Sequence, residues 1–129
     1  MLGYRVVSSA READVTVRFS RGAALPPRGS KTLGLTLVSS YGDHLRRAQM
    51  ELATGVSRPE DLSEVAAHEW GHALGINGHS DDPHDLMYSV TTRYIGLGSL
   101  FTPPPPRTVS SRDLNTIKAA YPFLFRPKK

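Results

Sequence analysis

Cysteine is absent from all 129 residues, which excludes disulfides and thiolate metal sites alike. Long apolar runs are also missing: nothing approaches the roughly 18 residues that a membrane-spanning helix requires, so no transmembrane segment is expected. Met1 to Ala10 offers neither the basic start nor the apolar stretch of a signal peptide. Acidic residues are the scarcer sign, 12 against 16 Lys and Arg, which gives a net charge of +4. That surplus does not make a nucleic-acid surface. The arginines are scattered, the short clusters are Arg46-Arg47 and the tail from Arg126 to Lys129, and neither a basic helix face nor interleaved aromatics accompanies them. We read them as solvated surface and expect no nucleic-acid partner.

What is there suits one domain, 1–129, long enough to bury a core and too short for a second. The coarse pattern is α+β. Tyr4 to Val7 and Val15 to Phe19 read as strands, and Leu33 to Val38 and Ala48 to Leu52 read as two more, joined by a loop at Gly42-Asp43. Leu25 to Gly29 reads as a loop, and Pro103 to Pro106 as stiff polyproline.

The most informative stretch is residues 68 to 88, His-Glu-Trp-Gly-His-Ala-Leu-Gly-Ile-Asn-Gly-His-Ser-Asp-Asp-Pro-His-Asp-Leu-Met-Tyr. At about 100° per residue, His68 and His72 project from one side of a helix and can share a metal. Leu62, Ala66, Trp70, Ala73 and Leu74 fall on the far side, an apolar band expected to pack, with Trp70 in the core. Asp61 followed by Glu64 predicts an N-terminal capping box, and Gly75 a left-handed C′ stop. A reversal at Gly75 could bring His79, which is out of helical phase, round to the same ion. His44 and His84 read as surface loop residues.

Three neutral imidazoles leave a fourth zinc position open for water, which separates a catalytic site from a closed structural one. Glu69 is rotated one residue away from a ligand, so it can reach such a water without ligating and act as general base.

The segment resembles the metzincin zinc peptidases, H-E-x-x-H-x-x-G-x-x-H followed by a Met-turn at Met87, and within them the matrixin group. Ser80, Asp82-Pro83 and Leu86-Met87-Tyr88 are similar to matrixin wording. Val109 to Tyr121 resembles the matrixin C-terminal helix, with Ser110 as N-cap and Asp113 at N3, and Ala13 to Phe19 resembles a matrixin strand. The resemblance implies a metzincin-like fold with a mixed sheet, an active-site helix and a C-terminal helix. It implies one catalytic Zn2+ held by His68, His72 and His79, with Glu69 catalytic and Met87 packing beneath the metal. The implied function is a zinc metalloendopeptidase acting on extended protein or peptide substrates, secreted as metzincins mostly are. By the same analogy the strand before the active-site helix, Ala48 to Leu52, would be an edge that pairs with substrate. Residues 88 to 94 would wall the pocket, with Tyr94 structural.

Two departures bear on this. Gly78 is an extra residue, placing His79 one position beyond the family spacing. The family's first strand and first helix have no counterpart ahead of Ala13, so one sheet face is expected to lack cover. An alternative stays open: a zinc-binding but inactive metzincin remnant serving as a binding module. The absence of cysteine removes the thiol form of latency, and no calcium motif is apparent.

Overall fold

The β-branched and aromatic residues of Val15-Thr16-Val17-Arg18-Phe19-Ser20 form strand β1 (Val15–Ser20) in the computed structural model, which describes residues 4–20, 33–42, 44–54, 59–89 and 107–122. Strand β2 (Gly34–Tyr41) and strand β3 (His44–Ala53) form an antiparallel hairpin closed at the Tyr41–His44 pair. Gly42 holds φ +57° at that turn, in the left-handed region where glycine carries no steric penalty. The register shifts between Ser39 and Ser40. β1 lies parallel to β3, with Val15 opposite Ala48 and Phe19 opposite Leu52, and the sheet order is β1-β3-β2.

Alternation along β3 decides where the core lies. Ala48, Met50 and Leu52 point to one face and are buried, and Met50 is only 1% exposed. Val15, Val38 and Ala73 pack against this cluster. Helix α1 (Pro59–Ala73) lies across β2 and β3, and helix α2 (Ser111–Ala120) follows later in the chain. Each large apolar side chain buried this way contributes about 1.5–3 kcal/mol. Among the described residues, the mixed three-stranded sheet with two helices is the expected α+β arrangement.

Several local expectations are corrected. Ala48 to Leu52 is not an edge: β3 is hydrogen-bonded on both flanks, and among the described residues β1 and β2 form the edges. Buried alternate residues on the strand and a tight hairpin beside it put β3 in the middle. Tyr4 to Val7 forms no strand and is largely exposed, because a β-prone tetrapeptide without a ladder partner has no reason to stay extended. Helix α1 begins at Pro59, two residues before the expected Asp61 cap, as suits a proline at the first helical position. Asp61 and Glu64 therefore lie inside the helix and are buried.

The helix also rolls differently from the apolar-band reading. Its buried side carries Asp61, Glu64, Val65, His68, Glu69 and Ala73, while Trp70 is 38% exposed and Leu62 and Ala66 are half-buried. Phe19 on β1 is 63% exposed, on the same sheet face as the core. The expected loop at 25–29, the polyproline at 103–106, Tyr94 and the basic tail at 126–129 lie outside the described residues.

Candidate metal centre

His68 and His72 lie one helical turn apart on α1, with ring centroids 4.9 Å apart. His79 joins them because the helix stops abruptly. Gly75, at φ +99°, donates its N–H to the His72 carbonyl, and the Ile76 N–H reaches back to the Gly71 carbonyl, a Schellman closure with glycine at C′ as the sequence predicts. The chain then turns back, and the His79 ring sits 5.2 Å from His68 and 5.0 Å from His72. One ligand atom from each of the three residues lies within 4.8 Å of the others, a group able to hold a metal ion. The additional Gly78 is absorbed at the surface: a Cβ built there would meet nothing within 4 Å.

Backbone carbonyls fix the two helical rings. His68 Nδ1 donates to the Leu86 carbonyl at 2.8 Å, and His72 Nδ1 to the Ile76 carbonyl at 2.6 Å. A carbonyl oxygen can only accept, so each Nδ1 carries the proton and each Nε2 keeps its lone pair. Such outer partners orient ligands and raise their basicity. Gly75 thus has a second use, since the reversal aims the Ile76 carbonyl at His72.

The Leu86 carbonyl is itself held in place from α2. Ser110 caps that helix, its hydroxyl accepting from the Arg112 and Asp113 N–H groups while Asp113 accepts from the Ser110 N–H. The buried Asp113 carboxylate also accepts from the Leu86 and Met87 N–H groups at 3.1 and 3.4 Å. Ser80 donates to Asp85 at 2.6 Å, and the Ser80 N–H to the Met87 carbonyl. The Ser80 and Ser110 hydroxyls hold the Asp85 carboxyl below the usual carboxylate range. Tyr121 at the end of α2 donates to the Leu74 carbonyl at 3.0 Å, tying the two helix ends together.

Met87 is buried beneath α1, where Gly71 makes room: a Cβ at Gly71 would collide with the Met87 sulfur. Glu69 is also buried, and Thr36 of β2 donates to its Oε2 at 2.5 Å. Burial raises the Glu69 carboxyl above its usual value, while Thr36, His72 and His79 oppose the rise. Burial pushes His68 below the usual imidazole value, and burial followed by the neighbouring His68 and His72 does so at His79. Neutral imidazole is the ligating form, so these shifts suit metal binding at neutral pH. Donor type, tautomer and convergence all fit zinc.

The Matrixin (peptidase M10) family model matches residues 2–121. The chain belongs to the matrixin family. A human relative, Matrix metalloproteinase-20, is 36% identical over 83 residues, which make up 60% of this chain and 17% of that protein. The chain therefore spans under a fifth of that relative's length. Matrixins are zinc metallopeptidases, and the group of three histidines is where a family metal site would lie. No helix among the described residues is long and apolar enough to cross a membrane.

His44 opens β3, exposed, and His84 is 92% exposed and pairs with Asp82; neither belongs to the group of three. Reading the sequence missed Thr36, Gly34, Gly71 as a clearance for Met87, Arg107, and the carbonyls of Leu86 and Ile76. Only Gly71 left a local signal, a glycine inside a helix where it costs about 1 kcal/mol relative to alanine.

Two outcomes follow from this geometry. In metal-free chain, stability is expected to be fully present above pH 6.5 and to fall as pH drops below it, because the unfolded imidazole at 6.5 takes up a proton that folded His68 resists. Asp82 and Asp85, held below 3.8, act only in stronger acid. Urea midpoints between pH 7.5 and 5 measure the slope, which His68→Gln should flatten. Gly34→Ala is the second: its Cβ would lie 2.6 Å from Glu69 Cγ and Oε1 and 2.8 Å from Val65. Overpacking of this kind typically costs about 1–3 kcal/mol, read as a lower melting temperature.

Proposed function

We propose that the chain is a zinc-dependent metalloendopeptidase that hydrolyses peptide bonds in extended protein substrates, as one catalytic domain over 1–129. His68, His72 and His79 hold the ion, and Glu69 is the general base. The observation that carries this reading is the convergence of three imidazoles beside one buried carboxylate. Bound zinc supplies a Lewis acid for the scissile carbonyl and lowers the pKa of water from 15.7 to about 7.

The chain's own residues supply the rest. Glu69 takes a proton from the attacking water at a carboxylate oxygen and delivers it to the departing amine nitrogen. Its raised pKa favours this, since a base works best when its pKa approaches the operating pH. Met87 packs under the ligands, while Leu86, Ile76 and Asp113 keep the rings aimed. Extended substrate pairs with β2, an edge strand among the described residues, whose Gly34 and Thr36 face Glu69, and not with β3. By family habit the enzyme works outside the cell.

The test is metal content and cleavage together. Purified chain is expected to carry about one zinc per molecule and to cut unfolded casein, with activity lost to chelator and restored by zinc. Zinc without turnover would make the chain a binding module instead.

A further inference from the structure

We propose that Thr36 is a positioning residue for the reaction, holding the Glu69 carboxylate in the one orientation from which it serves as base. The inference deepens the peptidase reading and rests on it for its kinetic arm. Thr36 lies on β2 opposite Met50, on the sheet face that α1 covers, 33 positions away from Glu69 in the chain. Its hydroxyl has one proton and faces two acceptors of the same residue, Glu69 Oε2 at 2.5 Å and the Glu69 carbonyl at 3.2 Å. The shorter contact to the carboxylate takes the proton, because a hydrogen bond to an ionised acceptor is the stronger.

Three features make this a fixed support. Thr36 is β-branched and sits in a paired strand, so its χ1 has little freedom. Two residues earlier Gly34 leaves space that any side chain would deny, a Cβ there lying 2.6 Å from Glu69 Oε1. Glu69 has three rotatable bonds and a terminal torsion that is broad in isolation, so a buried carboxylate needs an external contact to select one orientation. Oε2 is then engaged by Thr36 on the strand side, and one orientation of the carboxylate is selected. A tie between strand and helix made only for stability would need neither the glycine nor contact with the carboxylate itself.

The experiment compares Thr36→Val, which keeps the shape and removes the donor, with Thr36→Ser, which keeps the donor. In zinc-loaded full chain, Thr36→Val is expected to lower kcat on the order of tenfold, the effect of one hydrogen bond to a charged group, with KM and zinc content unchanged. Thr36→Ser should restore most of the rate. A second arm needs no catalysis: urea unfolding of metal-free wild type, Thr36→Val, Glu69→Ala and the double variant. The two substitutions should be coupled, the double variant being more stable than the sum of the single losses predicts. Equal kcat in Thr36→Val and wild type, equal loss in both Thr36 variants, or additive unfolding losses overturns the proposal. Should wild type bind zinc and cut nothing, the peptidase reading falls, and the unfolding cycle alone decides Thr36.

Discussion

Glu69→Ala is expected to lower kcat by about 10²–10⁴-fold, the usual contribution of a positioned general base, while the chain keeps its zinc. The separation of the two readouts is the point. Glu69 stands next to His68 in sequence, but its side chain leaves the helix toward Gly34 and Thr36, and it is not one of the three residues grouped to hold a metal ion. Deleting it removes proton transfer without removing a ligand. Zinc by atomic absorption and casein cleavage on the same preparations decide the matter. Retained cleavage in Glu69→Ala would assign the proton to another group, and lost zinc would make Glu69 a ligand.

The other large effect is on folding. Arg107→Ala should destabilise the chain by about 3–5 kcal/mol, the cost of removing one partner from a buried ion pair, against a total of about 5–15 kcal/mol for an ordinary domain. The Arg107 side chain is 6% exposed and that of Glu64 only 2%. Their contacts join three parts of the molecule. The Arg107 guanidinium reaches Glu64 of α1 at 3.4 Å, donates to the Pro83 carbonyl at 2.7 Å, and lies 4.9 Å over the Tyr88 ring. The Arg107 backbone N–H adds a bond to Glu64 Oε2 at 2.7 Å. Without the guanidinium, the buried Glu64 carboxyl loses its side-chain contact with Arg107. Replacing both, as Glu64→Gln with Arg107→Met, should cost clearly less than Arg107→Ala alone, because no charge is stranded. Urea unfolding of wild type, Arg107→Ala and the double variant measures this, and a single-variant loss below about 1 kcal/mol would class the pair with exposed ion pairs.

The surface pairs around Arg112 make the useful contrast. Arg112 meets Asp81 at 3.1 Å and Asp85 at 3.4 Å, but its side chain is 61% exposed. Water and salt screen such pairs, and little stability is expected from them.

The grouping of the three histidines was legible because helical periodicity acts over a few residues. Spacing of four places His68 and His72 on one side whatever the helix packs against, and Gly75 stops the helix for a reason internal to the glycine, its tolerance of φ +99°. The cap at Ser110 with Asp113 is equally local. The helix roll was not legible. Leu62, Ala66 and Trp70 form an apolar band by arithmetic, yet the helix buries the side with Glu64, His68 and Glu69, where specific partners satisfy the polar groups. A hydrophobicity pattern counts apolar atoms and cannot anticipate hydrogen bonds supplied from elsewhere in the chain.

By itself, then, the sequence determined the chemistry on offer: three imidazoles, one carboxylate between two of them, a helix stop and a methionine turn, with no thiol to compete. Each is fixed by residue type and short-range geometry. Tertiary structure alone decided how that chemistry is aimed. The Leu86 and Ile76 carbonyls set the ring protons, Asp113 reaches across from α2 to hold the turn, and β2 brings Gly34 and Thr36 against Glu69. The carbonyls belong to every residue alike and carry no sequence signal, and most of the side-chain partners lie 26 to 33 positions away. Contacts of that span exist only once the sheet and helices have packed.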